Sequence, residues 1–585
     1  MADRVPFAPM VRWFGPAQLA RTAVNVATST LLGADFDRRR IDAQLSQGAP
    51  IHDLTHDASG APRTSLVIDY IADTGDGWNS TYAIAHAASL PTLEVATAKG
   101  EHRVTTRRGD ILVFGGDEVY PTPTRGAYDQ RLVMPFECAL AWTDGPDHPV
   151  VFAIPGNHDW YDNLAAFTRL FIDKEWFGGR RAPQRRSYFA LRLPHGWWLV
   201  GVDIQLASDI DNDQVEYFKE VANQMRVEAE ASGVEAKVLL CTAEPHWVFE
   251  HEKSAGAALP EGPPQTPVDR LLQRRRIASN LHFLEEQIFG AQAIRVFLAG
   301  DLHHYRRHSS DGERIQKITA GGGGAFLHPT HHLKRTPLPG GFHHRASFPD
   351  HDTSRRLAWR NLLFPVHSPT FGALTGALYL LFGWHIASSI DASGALSFLE
   401  LVHQIARALA VSPAAFTAVA TVMLGFVLFT DTHKVWYRIV GGTTHALAHL
   451  IAAAVIAFFA TDLAVGLGCS PLGLRHMGIT IVALFAGGWW VGSHLMGLYL
   501  LGSLNIFGRH YNEAFSGLAI EDHKHFLRMI IEEDGSLTIL PIAIDRVPRA
   551  WEPAPAPERT RPLFHPAPGQ GTPARLIEAP IRVPR

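Results

Sequence analysis

Only three cysteines, Cys138, Cys241 and Cys469, stand in 585 residues, too far apart for a disulfide framework or a paired-thiol metal knuckle. Such a chain fits a reducing compartment. An excess of either charge sign is also missing, since 53 Lys and Arg face 57 Asp and Glu for a net charge of −4. Nothing in that balance marks nucleic acid as a partner, although it does not bar nucleic acid as a substrate. The first residues lack the unbroken apolar core of a secretion signal, because Arg12 and Arg21 interrupt it, so export of the first half is not expected. Histidine, by contrast, is abundant at 31 residues, and it is both the commonest metal ligand and a proton carrier near neutral pH. The length exceeds what one compact core holds, so a division of the chain is expected.

That division falls near residue 371, where four apolar stretches begin: 371–390, 408–430, 445–467 and 478–504. Each matches the roughly 20 residues that a helix needs to cross a bilayer. Arg355, Arg356, Arg360, Lys434, Arg438, Arg509 and Lys524 flank one side, against Arg407 and Arg475 on the other. Basic residues stay on the cytoplasmic side, so the reading is an integral protein of the plasma or inner membrane with both termini cytoplasmic. His445 and His449 share a helix face within the third stretch, with His385 and His494 in others. Ionisable residues at such depth suggest a metal, haem or proton role, and the plainer reading is hydrogen bonding inside the bundle.

The first 350 residues alternate β-branched runs with helical stretches, the pattern of an α/β domain. Strands are expected at 66–72, 111–114, 150–154, 198–203, 238–242 and 294–298. The division reads as an N-terminal segment 1–60, an α/β domain 61–350, an all-α four-helix membrane domain 371–504, and a segment 505–551. In the last of these, Asp534-Gly535 favours a hairpin turn. From Glu552 onward, nine prolines in 34 residues predict a disordered tail.

Three expected strand ends deliver metal-type ligands in order: Asp73, then Gly116-Asp117-Glu118-Val119-Tyr120, then Gly156-Asn157-His158-Asp159. A fourth cluster, Gly300-Asp301-Leu302-His303-His304, follows the strand at 294–298. In open α/β sheets, ligands gather at the carboxyl ends of strands. Turn or capping chemistry explains any one of these alone, but not the ordered set. The set resembles the calcineurin-like metallophosphoesterase superfamily over residues 64–330, and Asp73-Thr74-Gly75 with Gly116 to Tyr120 resembles its purple acid phosphatase variant.

The resemblance implies a four-layer α/β/β/α sandwich that holds two divalent or trivalent metal ions: manganese, iron, zinc or magnesium. Asp117 would bridge them. Asp73 and His303 would complete one site, with Tyr120 as a further donor or a core residue, and Asn157 and Asp301 would serve the other. His158 would face the phosphoryl group and either donate to the leaving oxygen or stabilise the transition state. Two departures stand out: Asp301 replaces a histidine of the family pattern, and Ala243 stands where a lone histidine is usual, leaving Glu244 or His246 to reach in. More carboxylate favours a harder metal than zinc.

Arg180-Arg181, Arg185-Arg186 and Arg274 to Arg276 read as phosphate contacts, lipid contacts or a solvated surface. The expected function is hydrolysis of a phosphate ester, carried on a lipid or a membrane-associated phosphoprotein. The rival is a regulatory membrane protein whose degenerate domain senses metal or nucleotide without turnover.

Overall fold

The computed structural model describes residues 7–21, 50–97, 102–142, 148–204, 209–250, 279–290, 293–333, 337–387, 398–411, 413–430, 435–470, 473–554 and 562–585. Two sheets, one of eight strands and one of eleven, form the α/β part. The strands read from apolar runs are present at Leu66–Ile71, Ile111–Phe114, Val150–Ala153, Trp197–Gly201, Lys237–Thr242 and Ile294–Ala299. Their burial on both faces explains why these runs do not alternate with polar residues. The first three pair in parallel within the eleven-stranded sheet, and the last three in parallel within the eight-stranded one.

One core lies between the sheets, where Ile68, Tyr70, Val113 and Phe152 meet Leu199, Leu239, Val296 and Leu298. Helices share cores with strands of both sheets. Helix Trp78–Ser89 shares a core with Leu112, Phe114 and Val151, and helix Asn212–Ser232 sets Val215, Phe218, Val221 and Met225 against Trp198, Val238 and Leu240. The second helix is capped by Asp211, whose side chain accepts from the Gln214 N–H, and it ends at left-handed Gly233.

The segment after the apolar helices is not an appendage. Its hairpin, Lys524–Ile531 and Leu537–Ile544, enters the middle of the eleven-stranded sheet, with Lys524–Ile531 antiparallel to Leu66–Ile71. A buried ion pair fixes the register: Arg528 Nε and Nη2 donate to Asp69 Oδ1 and Oδ2 at 2.6 and 2.9 Å. Removing the cation alone strands a buried carboxylate, so Arg528→Met is expected to cost about 3–5 kcal/mol, with the Asp69→Leu/Arg528→Met double variant recovering most of it. Thermal unfolding of the wild type and the two variants checks both statements.

Residues 562–585 correct the expectation of a disordered tail, while 555–561 lie outside the described residues. Phe564–Pro566 pairs with Trp551–Pro553, while Arg575–Leu576 and Ile581–Val583 pair with the second hairpin strand. Phe564, Leu576, Ile581 and Val583 are buried, so apolar residues between the prolines find a sheet edge to cover. The prolines, which cannot donate, are tolerated at such edges. The expected domain 61–350 is therefore only part of the α/β unit, and the apolar helices form an insertion within it.

Among the described residues three helices are long and apolar enough to cross a membrane: Pro369–Ala387, Val435–Gly466 and Leu474–Phe507. The stretch expected as a second crossing instead carries helices Phe398–Val411 and Pro413–Phe429, the latter of 17 residues. Exposed Leu381, Ile451 and Phe459 give these helices an apolar outer surface. Inside it, His449 Nδ1 meets the Tyr379 hydroxyl at 3.0 Å and its Nε2 meets His445 Nε2 at 3.2 Å. These contacts are the hydrogen bonding within the bundle that the plainer reading expects.

Candidate active site

Asp73, Asp117 and Asp301 each sit in the turn after a buried strand, and each adopts a left-handed backbone, with φ of 56°, 54° and 65°. Such a conformation costs a non-glycine residue about 1–3 kcal/mol and collects at functional sites. The turns are tied to one another: the Asp73 N–H donates to Gly116 O and the Thr74 N–H to Asp117 O, both at 3.0 Å. Space is as restrictive as conformation. A Cβ on Gly156 would lie 2.1 Å from Asp117 Oδ1, and one on Gly321 would lie 2.0 Å from Asp73 Oδ2, so only glycine allows these carboxylates their positions.

Tyr120 stands where the ligands converge. Its phenolic oxygen lies 3.0 Å from Asp73 Oδ1, 3.0 Å from Asp117 Oδ2 and 2.9 Å from His303 Nε2. His303 Nδ1 lies 2.7 Å from Phe326 O, which assigns the ring proton to Nδ1 and leaves Nε2 as an acceptor. Three acceptors thus face one phenolic proton. Asp73 Oδ2 is buried with no hydrogen-bond partner among the described residues, and the Asn157 amide lies against Asp117, its nitrogen within 2.8 Å of Oδ2 when turned inward. Turned the other way, the amide would add one more lone pair.

Electrostatics sharpens this imbalance. Burial first, and then the charges of Asp117 and Asp301, push the Asp73 carboxyl well above the usual range. Burial and Asp159 raise Asp117 to about 8, and burial with Asp117 and Glu244 raises Asp301. Among the described residues no lysine or arginine pairs with Asp73, Asp117 or Asp301. A cation would relieve this crowding of buried carboxyls by taking the place of their protons, and the oxygen-rich donor set suits a hard one. The described residues contain no group of three or more His, Cys, Asp and Glu spaced to grip an ion. Here the donors surround the Tyr120 oxygen instead, at hydrogen-bond rather than ligand distance.

His158 lies at the rim of this cluster. Its N–H donates to Asp117 Oδ1 at 2.8 Å, and its Nδ1 lies 3.0 Å from Pro121 O, which leaves Nε2 as the nitrogen able to take a proton. Burial lowers its pKa, so the ring rests neutral. Asp159 braces the loop by accepting from the Gly156 N–H at 2.9 Å and the Tyr128 hydroxyl at 2.5 Å.

His246 does not join the cluster, which corrects its place among the expected ligands. Its Nε2 pairs with Glu285 at 2.9 Å, and its ring packs edge-on against Trp247. Glu244 is the residue of that turn whose charge acts on Asp117 and Asp301. Arg180 is buried and donates to Ser89 Oγ, away from any substrate role, and Arg274 to Arg276 lie outside the described residues. Two residues outside the expected ligand set also reach the cluster: His328, which the sequence places after the glycine run Gly321 to Gly324, stacks on His303 with ring centres 4.0 Å apart, and Trp13, which carries no signal in the sequence, packs edge-on against both Tyr120 and His158.

No protein-family model matches the chain, and no curated protein does. Among solved structures, GAP50, the anchor in the inner membrane complex of Plasmodium, aligns with a TM-score of 0.28 and 10% identity over 48% of this chain and 77% of that one. The purple acid phosphatase PPD1 from yellow lupin (Lupinus luteus) seeds aligns with a TM-score of 0.27 and 13% identity over 49% of this chain and 50% of that one. Likeness this low fixes neither activity nor ligand, and what the site can do follows from its own residues.

Proposed function

We propose that this chain is a membrane-anchored phosphoesterase that works with two metal ions. Asp73, Asp117, Tyr120 and His303 would hold one; Asp117, Asn157, Asp301 and Glu244 would hold the other. The observation that carries the reading is the convergence of Asp73, Asp117 and His303 on the Tyr120 oxygen. When bound, such a metal pair neutralises a phosphate and makes water acidic enough to attack phosphorus near neutral pH.

The chain's own contribution is position and proton control. The left-handed turns hold the carboxylates at fixed points, so little reorganisation accompanies substrate binding. His158 keeps its Nδ1 proton on Pro121 O and takes a second proton at Nε2 when a phosphate dianion lies beside it, ready for the leaving oxygen. We further propose a sandwich of the metallophosphoesterase kind that faces the cytoplasm, with both termini on that side and Pro413–Phe429 completing four crossings.

The test uses the full chain in lipid nanodiscs with manganese, iron, zinc or magnesium, aryl phosphomonoester and phosphodiester substrates, and a direct count of bound metal. Metal-dependent turnover is expected, falling about 10²–10⁴-fold in His158→Ala. Two bound metals with no turnover would instead favour the sensing reading.

A further inference from the structure

Residues 7–21 run between the candidate site and the apolar helices, and two adjacent rings make the link. Trp13 lies with its ring centre 6.0 Å from His158, 6.1 Å from Tyr120 and 5.3 Å from Phe326. Phe14 lies 5.0 Å from Phe364 and 5.5 Å from Phe371, at the start of the crossing helix Pro369–Ala387. The far end of the insertion reaches the same place, because Tyr511, just beyond Leu474–Phe507, packs on His328, which stacks on His303. The site is therefore held between the ends of the first and last crossing helices.

The segment that leads into the first crossing helix supports the same depth. In residues 351–367, Arg355, Arg356 and Arg360 are exposed beside Trp359, Leu363 and Val366, whose exposures are 57%, 55% and 62%. Basic and large apolar side chains exposed together, continuous with a crossing helix, are the composition of a surface lying among lipid headgroups. The phosphate of a lipid lies at that level, just outside the hydrocarbon core. Trp13 adds a specific handle, since its Nε1 is buried and has no partner among the described residues.

We infer that the ester hydrolysed at this site is a membrane lipid phosphate, its chains remaining in the bilayer while its headgroup passes Trp13 to reach His158. This inference rests on the phosphoesterase reading and narrows its substrate. A soluble ester gains nothing from a site pressed against the bundle. A lipid arrives already concentrated in the plane, where diffusion brings its phosphate past Trp13, whose buried indole N–H, without a partner among the described residues, would donate to an oxygen of the headgroup.

The experiment pairs each lipid with its own deacylated headgroup. The full chain in phosphatidylcholine nanodiscs, loaded with each metal, is given phosphatidic acid or glycerol 3-phosphate, and phosphatidylglycerol or glycerophosphoglycerol, with aryl phosphates as a reference. One lipid is expected to turn over about 100-fold faster than its soluble partner at matched phosphate. Trp13→Ala is expected to lower the lipid-to-aryl ratio about tenfold, the weight of one lost headgroup contact. Aryl turnover without a lipid excess in either pair, or a tethered phosphopeptide outpacing both lipids, overturns the lipid assignment and leaves the phosphoesterase reading standing. Loss of both lipid and aryl turnover in the metal-loaded chain overturns the two together.

Discussion

A chain that ends at residue 518 is expected to be recovered only as aggregate, whereas a chain with residues 369–516 replaced by a short Gly/Ser linker is expected to be soluble and to unfold cooperatively. The truncation removes the hairpin that pairs with Leu66–Ile71. Phe526, Leu527, Met529, Ile531, Leu537, Ile539 and Ile542 are all fully buried there. At roughly 1.5–3 kcal/mol for each buried side chain, their loss exceeds the 5–15 kcal/mol that holds a typical domain folded. It also strands Asp69 and opens a long apolar edge in the middle of a sheet, the geometry that templates aggregation. Excision of the insertion breaks none of this, because its two ends already touch: Ser368 Oγ donates to Gly517 O at 2.9 Å. Domains tolerate insertion and excision where the ends of the excised piece lie together. Size-exclusion chromatography and circular dichroism of the two proteins separate the outcomes. A monomeric, folded chain ending at 518 would show that the hairpin is dispensable.

The catalytic-looking half was legible where chemistry is local. Each expected strand lies within two residues of an observed one, because its run is mostly apolar, and each acidic turn follows its strand directly. Distant partners were not legible. Arg528 and Asp69 are 459 residues apart, and neither carries a pattern that names the other. The prolines of the tail suggested a solvated chain, but sheet edges elsewhere in the molecule needed the four apolar residues between them. Glu244 and His246 differ by two positions in one turn. Which of them faces Asp117 depends on how that turn is tied, with Thr242 Oγ1 donating to Glu244 O at 2.9 Å. Trp13 lies in a stretch whose composition says nothing about where it packs, and only long-range folding brings it beside His158.

Asp117→Asn is expected to lower activity and raise metal-free stability at once. In the folded, metal-free chain, burial and neighbouring carboxylates lift Asp117 from the usual 3.8 to about 8. The folded state therefore favours the protonated acid. Its contribution is fully present below about pH 4 and is lost as pH rises toward 8, so the metal-free wild type melts progressively lower across that window. Asparagine cannot ionise, which removes this source of loss. The variant is expected to melt at least about 2 °C above the metal-free wild type at pH 8, with the gap closing toward pH 5. With the activating metal present, the order reverses: a cation offsets the charge of the wild-type carboxylate, so only the wild type gains stability and loses its pH slope. Turnover in the variant is expected to fall about 10³-fold, as when one fixed electrostatic contact to the transition state is lost. Thermal unfolding at pH 5 and pH 8, with and without metal, reads all of these together. A metal-free variant that melts below the wild type at pH 8 would mean that Asp117 is held by protein contacts rather than reserved for a cation.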